Sequence, residues 1–134
     1  MAVALLRTRL EDPIDFTCAD GTAIPKGTLL KLTDGRVAIA ASGAGDMIAG
    51  ICARDKIAND GRTTVPVFVR GIFDMEADGT IAIGGAVMAD GTASTVIAST
   101  GKTGAAQIGY ALEAATDGDI VQIMVNIGAS GAIA

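Results

Sequence analysis

The sequence predicts an all-β fold, a small β-barrel or β-sandwich, on three observations. Gly, Pro or an Asp-Gly pair interrupts the chain about every 8–12 residues, the spacing of short strands. Six pairs, Asp20-Gly21, Asp34-Gly35, Asp60-Gly61, Asp78-Gly79, Asp90-Gly91 and Asp117-Gly118, suit tight hairpin turns. Asp tolerates the left-handed backbone region and Gly adopts it freely. Finally, 25 Ala and 18 Gly among 134 residues leave only Phe16, Phe68, Phe73 and Tyr110 as aromatics. The core is therefore built from Val, Ile, Leu, Met and Ala, at a length that suits one ordinary domain.

Residues 1–20 carry charge but no hairpin turn before Asp20-Gly21, and they include Pro13. They read as an extended N-terminal arm that either adds a strand to the domain or reaches a neighbour. The β-rich domain spans 21–127. Thr28–Thr33 and Arg36–Ala40 form a hairpin across Asp34-Gly35, and Met47–Ala53 is a strand that leads into a loop. Thr64–Phe73 is the strongest β run; its Pro66 lacks an N–H and belongs at an edge or at the strand's start. Later strands are Ile81–Ile83, Ala86–Ala89, Ala93–Ala98, Gln107–Ala114 and Ile120–Ile127. In the last, Val121, Ile123, Val125 and Ile127 alternate with Gln122, Met124 and Asn126, the period of a half-buried strand. Residues 128–134 are small and read as a flexible tail.

The two halves resemble each other. Leu32–Gly35 lines up with Met88–Gly91, Ile48–Ala53 with Gln107–Leu112, and Val65, Val67 and Val69 with Val121, Ile123 and Val125. The offsets are 56, 59 and 56 residues. Either two copies of one β unit pack as halves of a barrel or sandwich, or β hairpins simply look alike.

Composition argues against most chemistry. No His is present, which removes the commonest general base and metal ligand together with every Ser-His or Cys-His pair. The net charge of −5, with no basic cluster beyond Arg7-Thr8-Arg9, argues against nucleic acid. Charges and glycines interrupt every apolar run before the ~18 residues a membrane span needs, and the short apolar start is no signal peptide. The reading is a soluble, unsecreted product. Cys18 and Cys52 lack metal-site spacing and are most simply free buried thiols, with a disulfide left open.

Three motifs invite chemistry and lack its requirements. Gly101-Lys102-Thr103 imitates the close of a phosphate loop, but Val96 stands where that loop needs Gly and Gly104 where it needs a helix. Asp74-Met75-Glu76-Ala77-Asp78-Gly79 imitates a calcium loop whose twelfth position is Gly85 rather than a carboxylate; it reads as an acidic surface turn. The Gly-rich stretch from Ala41 to Asp46 reads as a connection, since no helix follows it. No Gly-x-Ser-x-Gly occurs. No catalytic residue, cofactor site or metal site is expected, and the chain is not read as an enzyme.

From Ile24-Pro25-Lys26-Gly27-Thr28-Leu29-Leu30 onward the chain resembles the tailed-phage head decoration, or capsid cement, proteins. A hairpin and a Gly/Ala-rich loop follow, then Ile48-Ala49-Gly50-Ile51-Cys52-Ala53-Arg54-Asp55 and Val65-Pro66-Val67-Phe68-Val69-Arg70-Gly71-Ile72-Phe73. The match covers about residues 21–76. Ile108–Ala114 and Asp117–Ile123 resemble the ending of related small cement proteins. The resemblance implies a β-tulip-like homotrimer on the outer surface of the virion, made in the host cytoplasm. It would bridge major capsid protein subunits and stabilise the head, with no direct contact to nucleic acid or membrane. On this reading Leu5, Leu6, Arg7, Arg9 and Leu10 of the arm touch capsid protein, and Val67, Val69, Ile72 and Phe73 form core or subunit interface. The alternatives are another phage structural part, a head fibre base or tail protein, or a small ligand- or carbohydrate-binding β module.

Overall fold

A computed structural model of the chain describes residues 4–9, 13–35, 37–43, 46–90, 95–98 and 107–127, with the backbone alone at Thr8 and Arg9. Leu10, Gly101-Lys102-Thr103 and the tail at 128–134 lie outside the described residues. Those described form eleven strands and no helix: β1 Leu5–Arg9, β2 Ile14–Thr17, β3 Leu29–Asp34, β4 Val37–Ala40, β5 Ile48–Cys52, β6 Thr64–Phe68, β7 Arg70–Ala77, β8 Ala86–Ala89, β9 Thr95–Ala98, β10 Gln107–Ala111 and β11 Ile120–Asn126.

The strands close two rings. The first barrel runs β2-β4-β3-β5-β6. The second runs β7-β11-β10-β8-β9 and is shut by a parallel β7–β9 pairing, with β1 lying on the remaining length of β7. A parallel pairing, Thr17 opposite Val37, closes the first barrel too. The internal repeat is therefore real, and each copy closes a barrel of its own rather than half of a shared one.

Hydrogen bonds repeat with the strands. Cys52 N donates to Thr28 O at 2.9 Å, as Ala111 N does to Gly85 O. Ile24 and Lys56 exchange both backbone bonds, as Ile81 and Ala115 do. Gly27 and Gly84 take positive φ at matching turns, 87° and 73°, where an L side chain would be strained.

Five-stranded rings are narrow, and small side chains such as Ala38, Ala49, Ala89 and Ala111 are among those that fill them. Leu30, Ala38, Ala49, Cys52, Val65 and Val67 pack in the first barrel, together with Cys18 and Ile24. Phe73, Met75, Val87, Ala89, Ile108, Ala111, Val121, Ile123 and Val125 pack in the second. Leu29, Ile48, Ile51 and Phe68 of the first barrel join that second cluster, so β5 is buried on both faces and the barrels share one core.

Four sequence expectations change. The run Thr64–Phe73 is two strands, and the chain leaves one barrel for the other at Val69. Alternation hides this crossover: Val65 and Val67 are buried in the first barrel, and Gly71 and Phe73 in the second, all at odd positions. Pro66 sits mid-strand rather than at an edge. It is opposite Asp15 of β2, and its carbonyl accepts from Ala53 N at 2.9 Å, beyond the last β5–β6 pair, Cys52–Val67. A residue's N–H and C=O share a side of the strand, so the missing donor falls where the ladder has ended. Asp74 to Ala77 belongs to β7 instead of an acidic turn. Ile81–Ile83 supplies only the Ile81 bridge, followed by the turn at Gly84.

Candidate interaction surfaces

The Asp-Gly pairs do more than turn hairpins. Asp34-Gly35 joins β3 to β4, but others tie separate loops together: Gly61 N donates to Asp20 Oδ1 at 2.9 Å and Gly79 N to Asp117 Oδ1 at 3.0 Å. Between the first two lies Lys56, which is almost wholly buried. Its Nζ donates to Asp60 Oδ1 at 2.8 Å, Ile57 O at 2.7 Å, Asp20 O at 3.0 Å and Asp20 Oδ1 at 3.2 Å. The Lys56 hydrogen bond is the main influence holding Asp60 down at about 2, aided by the Arg62 amide. Sequence reasoning missed this residue. Its repeat partner is Ala115, so only the two flanking Asp-Gly pairs hinted at a cation there.

A carboxylate depressed in the fold stabilises it above its ordinary value of about 3.9, and that stability is lost as pH falls through the folded value. We predict that Lys56→Met lowers Tm by more than about 5 °C at neutral pH. The variant's deficit should shrink as pH is lowered from 4 to 2. A deficit that stays constant over that interval in thermal melts refutes the assignment.

Asp78 shows the opposite behaviour. Its hydrogen bond with Asp90, and that neighbour's charge, raise its proton affinity. The folded pair holds a proton that the unfolded chain releases, so this contribution to stability falls as pH rises above about 4. Asp78→Asn should raise Tm at pH 7 by on the order of 2 °C and leave it unchanged at pH 3. A lower Tm at pH 7 would contradict this.

No group of three His, Cys, Asp or Glu among the described residues is placed to hold a metal ion. Asp74 and Glu76 of the calcium-like motif point outward from β7, and Asp74 pairs with Arg7 at 3.7 Å. Asp46 of the Gly-rich loop accepts from the loop's own Ser42 and Gly43 amides at 3.0 and 2.7 Å and pairs with Lys31 at 3.8 Å. Burial would raise its pKa, but these partners hold it below the ordinary value. The open concavities among the described residues include two. One of about 260 Å³ is lined by Ile81, Ala82, Ala114, Ala115, Thr116 and Asp119, and one of about 340 Å³ by Asp15, Arg54, Arg62, Thr64 and Pro66. In the first, the Thr116 amide and hydroxyl both donate to Asp119 Oδ2 at 2.9 Å, so that carboxylate is engaged by its own turn.

The residues singled out from sequence fall into two places. In the arm, Leu5 is exposed opposite Asp74, Leu6 is half-buried against the core, Arg7 pairs with Asp74, and Arg9 sits opposite Gly71. Val67 is buried inside the first barrel and Phe73 inside the second. Val69 is half-buried at the crossover, where its carbonyl accepts from Ile127 N at 3.0 Å, and Ile72 is half-buried on the outer face of β7.

Residues 9–127 match the phage cement protein family. The chain belongs to that family. The cement protein is thus a structural protein of the phage capsid. Its fold is shared with the head fiber gp8.5 N base of bacteriophage phi29. That crystal structure is 16% identical, with a TM-score of 0.56 over 84% of this chain and 93% of that one. No curated protein matches the chain.

Proposed function

We propose that this cement protein decorates the outer surface of the phage head as a homotrimer, bridges neighbouring major capsid protein subunits and stabilises the shell. The observation that supports a capsid-facing arm is β1. Among the described residues β1 pairs only with β7, so its other edge offers backbone donors and acceptors, and Leu5 and Arg7 stand exposed on it. A strand of a capsid subunit can extend the sheet there. Seating three arms on a lattice multiplies contacts that are individually modest. Closure of both barrels leaves few other edges for unwanted pairing.

The test uses expanded heads that lack the protein. Wild type should bind them and raise the temperature at which they release DNA. Deletion of residues 1–12 removes β1 but keeps β2, which closes the first barrel. The truncated chain should stay folded by circular dichroism and bind heads at least about tenfold more weakly, a loss of ~1.4 kcal/mol. Equal affinity for both chains would remove the arm from the account, and no binding by wild type would remove decoration itself.

A further inference from the structure

The two barrels of one chain meet side to end. The side belongs to the first barrel, where Leu29, Ile51 and Phe68 stand opposite one another across β3, β5 and β6. They face outward from their own ring yet are 0%, 0% and 7% exposed, because the second barrel covers them. The end belongs to the second barrel, whose Phe73 meets Phe68 edge-on with ring centres 5.8 Å apart.

Each barrel carries a copy of both surfaces, since each is a copy of one unit. The repeat of Leu29, Ile51 and Phe68 is Ala86, Tyr110 and Met124, which are again opposite one another across β8, β10 and β11, with Ile72 continuing the row on β7. Among the described residues nothing buries this row: Tyr110 is 44% exposed, and Ala86, Met124 and Ile72 are partly so. The repeat of Phe73 is Ile14, since Phe73 pairs with Ile123 as Ile14 pairs with Val67, 59 and 56 residues earlier. Ile14 is 40% exposed. The intrachain contact therefore consumes one side and one end and leaves one of each free.

We propose that a second copy of this chain completes the pairing: the Ile14 end of one copy's first barrel seats on the Tyr110–Met124 side of its neighbour's second barrel. Continuity with the intrachain interface argues for this occupant, because the same repeat already makes this contact once. The row also holds the single Tyr of a chain with four aromatics, while the other three are buried or half-buried, and Tyr and Met are enriched in interfaces. Side and end are different surfaces, so the contact is heterologous and forms a closed ring where the rotation allows. The contact rests on the trimer reading above only for the number of copies.

The test measures mass in solution by light scattering, without heads, so its outcome is independent of decoration. Wild type should give three times the chain mass, and Tyr110→Lys and Ile14→Glu should each give one. Mixing the two variants should restore a 1:1 complex, since one contributes an intact end and the other an intact side. Both positions are exposed, and thermal melts establish folding; if either variant fails to fold, Met124→Lys and Ile14→Thr replace them. A monomeric wild type, folded variants that stay assembled, or monomeric variants that do not pair on mixing would each overturn the contact. A wild-type ring of another size, dissolved by the same variants, supports the contact and overturns the trimer.

Discussion

Gly109→Ala should be among the most damaging single-methyl changes in the described protein. An added Cβ would run into the Met124 carbonyl oxygen and lie 2.9 Å from the Met124 carbonyl carbon and 3.1 Å from Val125 Cα. All three are backbone atoms of β11, so no side chain can rotate away. Relief requires β10 and β11 to separate where they pair at Gly109 and Val125, next to the register shift between β10 and β8. Glycine at such an irregularity lets a strand bend tightly enough to close a small ring. Overpacking typically costs 1–3 kcal/mol, and a clash with fixed backbone belongs at or above the top of that range. The expected loss is about 3 kcal/mol, or roughly 10 °C in Tm. Gly50 is the repeat of Gly109 and meets the Phe68 carbonyl, the repeat of the Met124 carbonyl; its φ of 152° adds strain. Gly50→Ala should be equally harmful. Gly35→Ala, with nothing within 4 Å of the new methyl, is the control and should change Tm by less than about 2 °C. Melts in which the three variants coincide would show that close approach does not govern these sites.

Phe73→Ala should cost about 3–5 kcal/mol, the range for truncating a buried aromatic. The ring is 1% exposed, lies opposite Leu6 and Ile123, and contacts Phe68 at an interplanar angle of 62°. Its loss opens a cavity where the barrels join, so both the second barrel's interior and the contact with its neighbour weaken. Against a total stability of about 5–15 kcal/mol for a domain, this is a large share. Chemical denaturation should show a lower midpoint, and Phe73→Leu should recover more than half of the loss. Val69→Ala, at the half-buried crossover, should cost distinctly less. Equal effects at 69 and 73 would mean that the shared core is not centred on the aromatic pair.

Much of this architecture was legible in the residues. The hairpin at Asp34-Gly35, the strand at Ala86–Ala89 and the alternation of Val121, Ile123 and Val125 follow from turn chemistry and period two. The offsets of 56 and 59 residues located the repeat, including the match of Gly50 with Gly109. What stayed hidden was closure. A period-two pattern records which side of a strand is buried, not which ring the strand belongs to, so Thr64–Phe73 read as one element. Phe68 was the local sign: a large apolar residue at an even position, outward from its own barrel, has to be covered by something else. The interaction surfaces were less legible still, because Tyr110 and Ile14 are ordinary strand residues until the repeat shows that their counterparts are covered. Lys56 resembled any loop lysine, since its carboxylate partners converge only in three dimensions.

Cys18 and Cys52 are both buried and unpaired, and burial pushes both thiols above their ordinary pKa. Cys52 Sγ also donates to Arg54 O at 2.9 Å, a bond that a thiolate cannot make. Oxidation by air or peroxide proceeds through the exposed thiolate, so both sulfurs are kinetically sheltered. A protein whose sulfur chemistry is locked inside a closed barrel meets oxidants without cross-linking to its neighbours, and needs no disulfide to endure them.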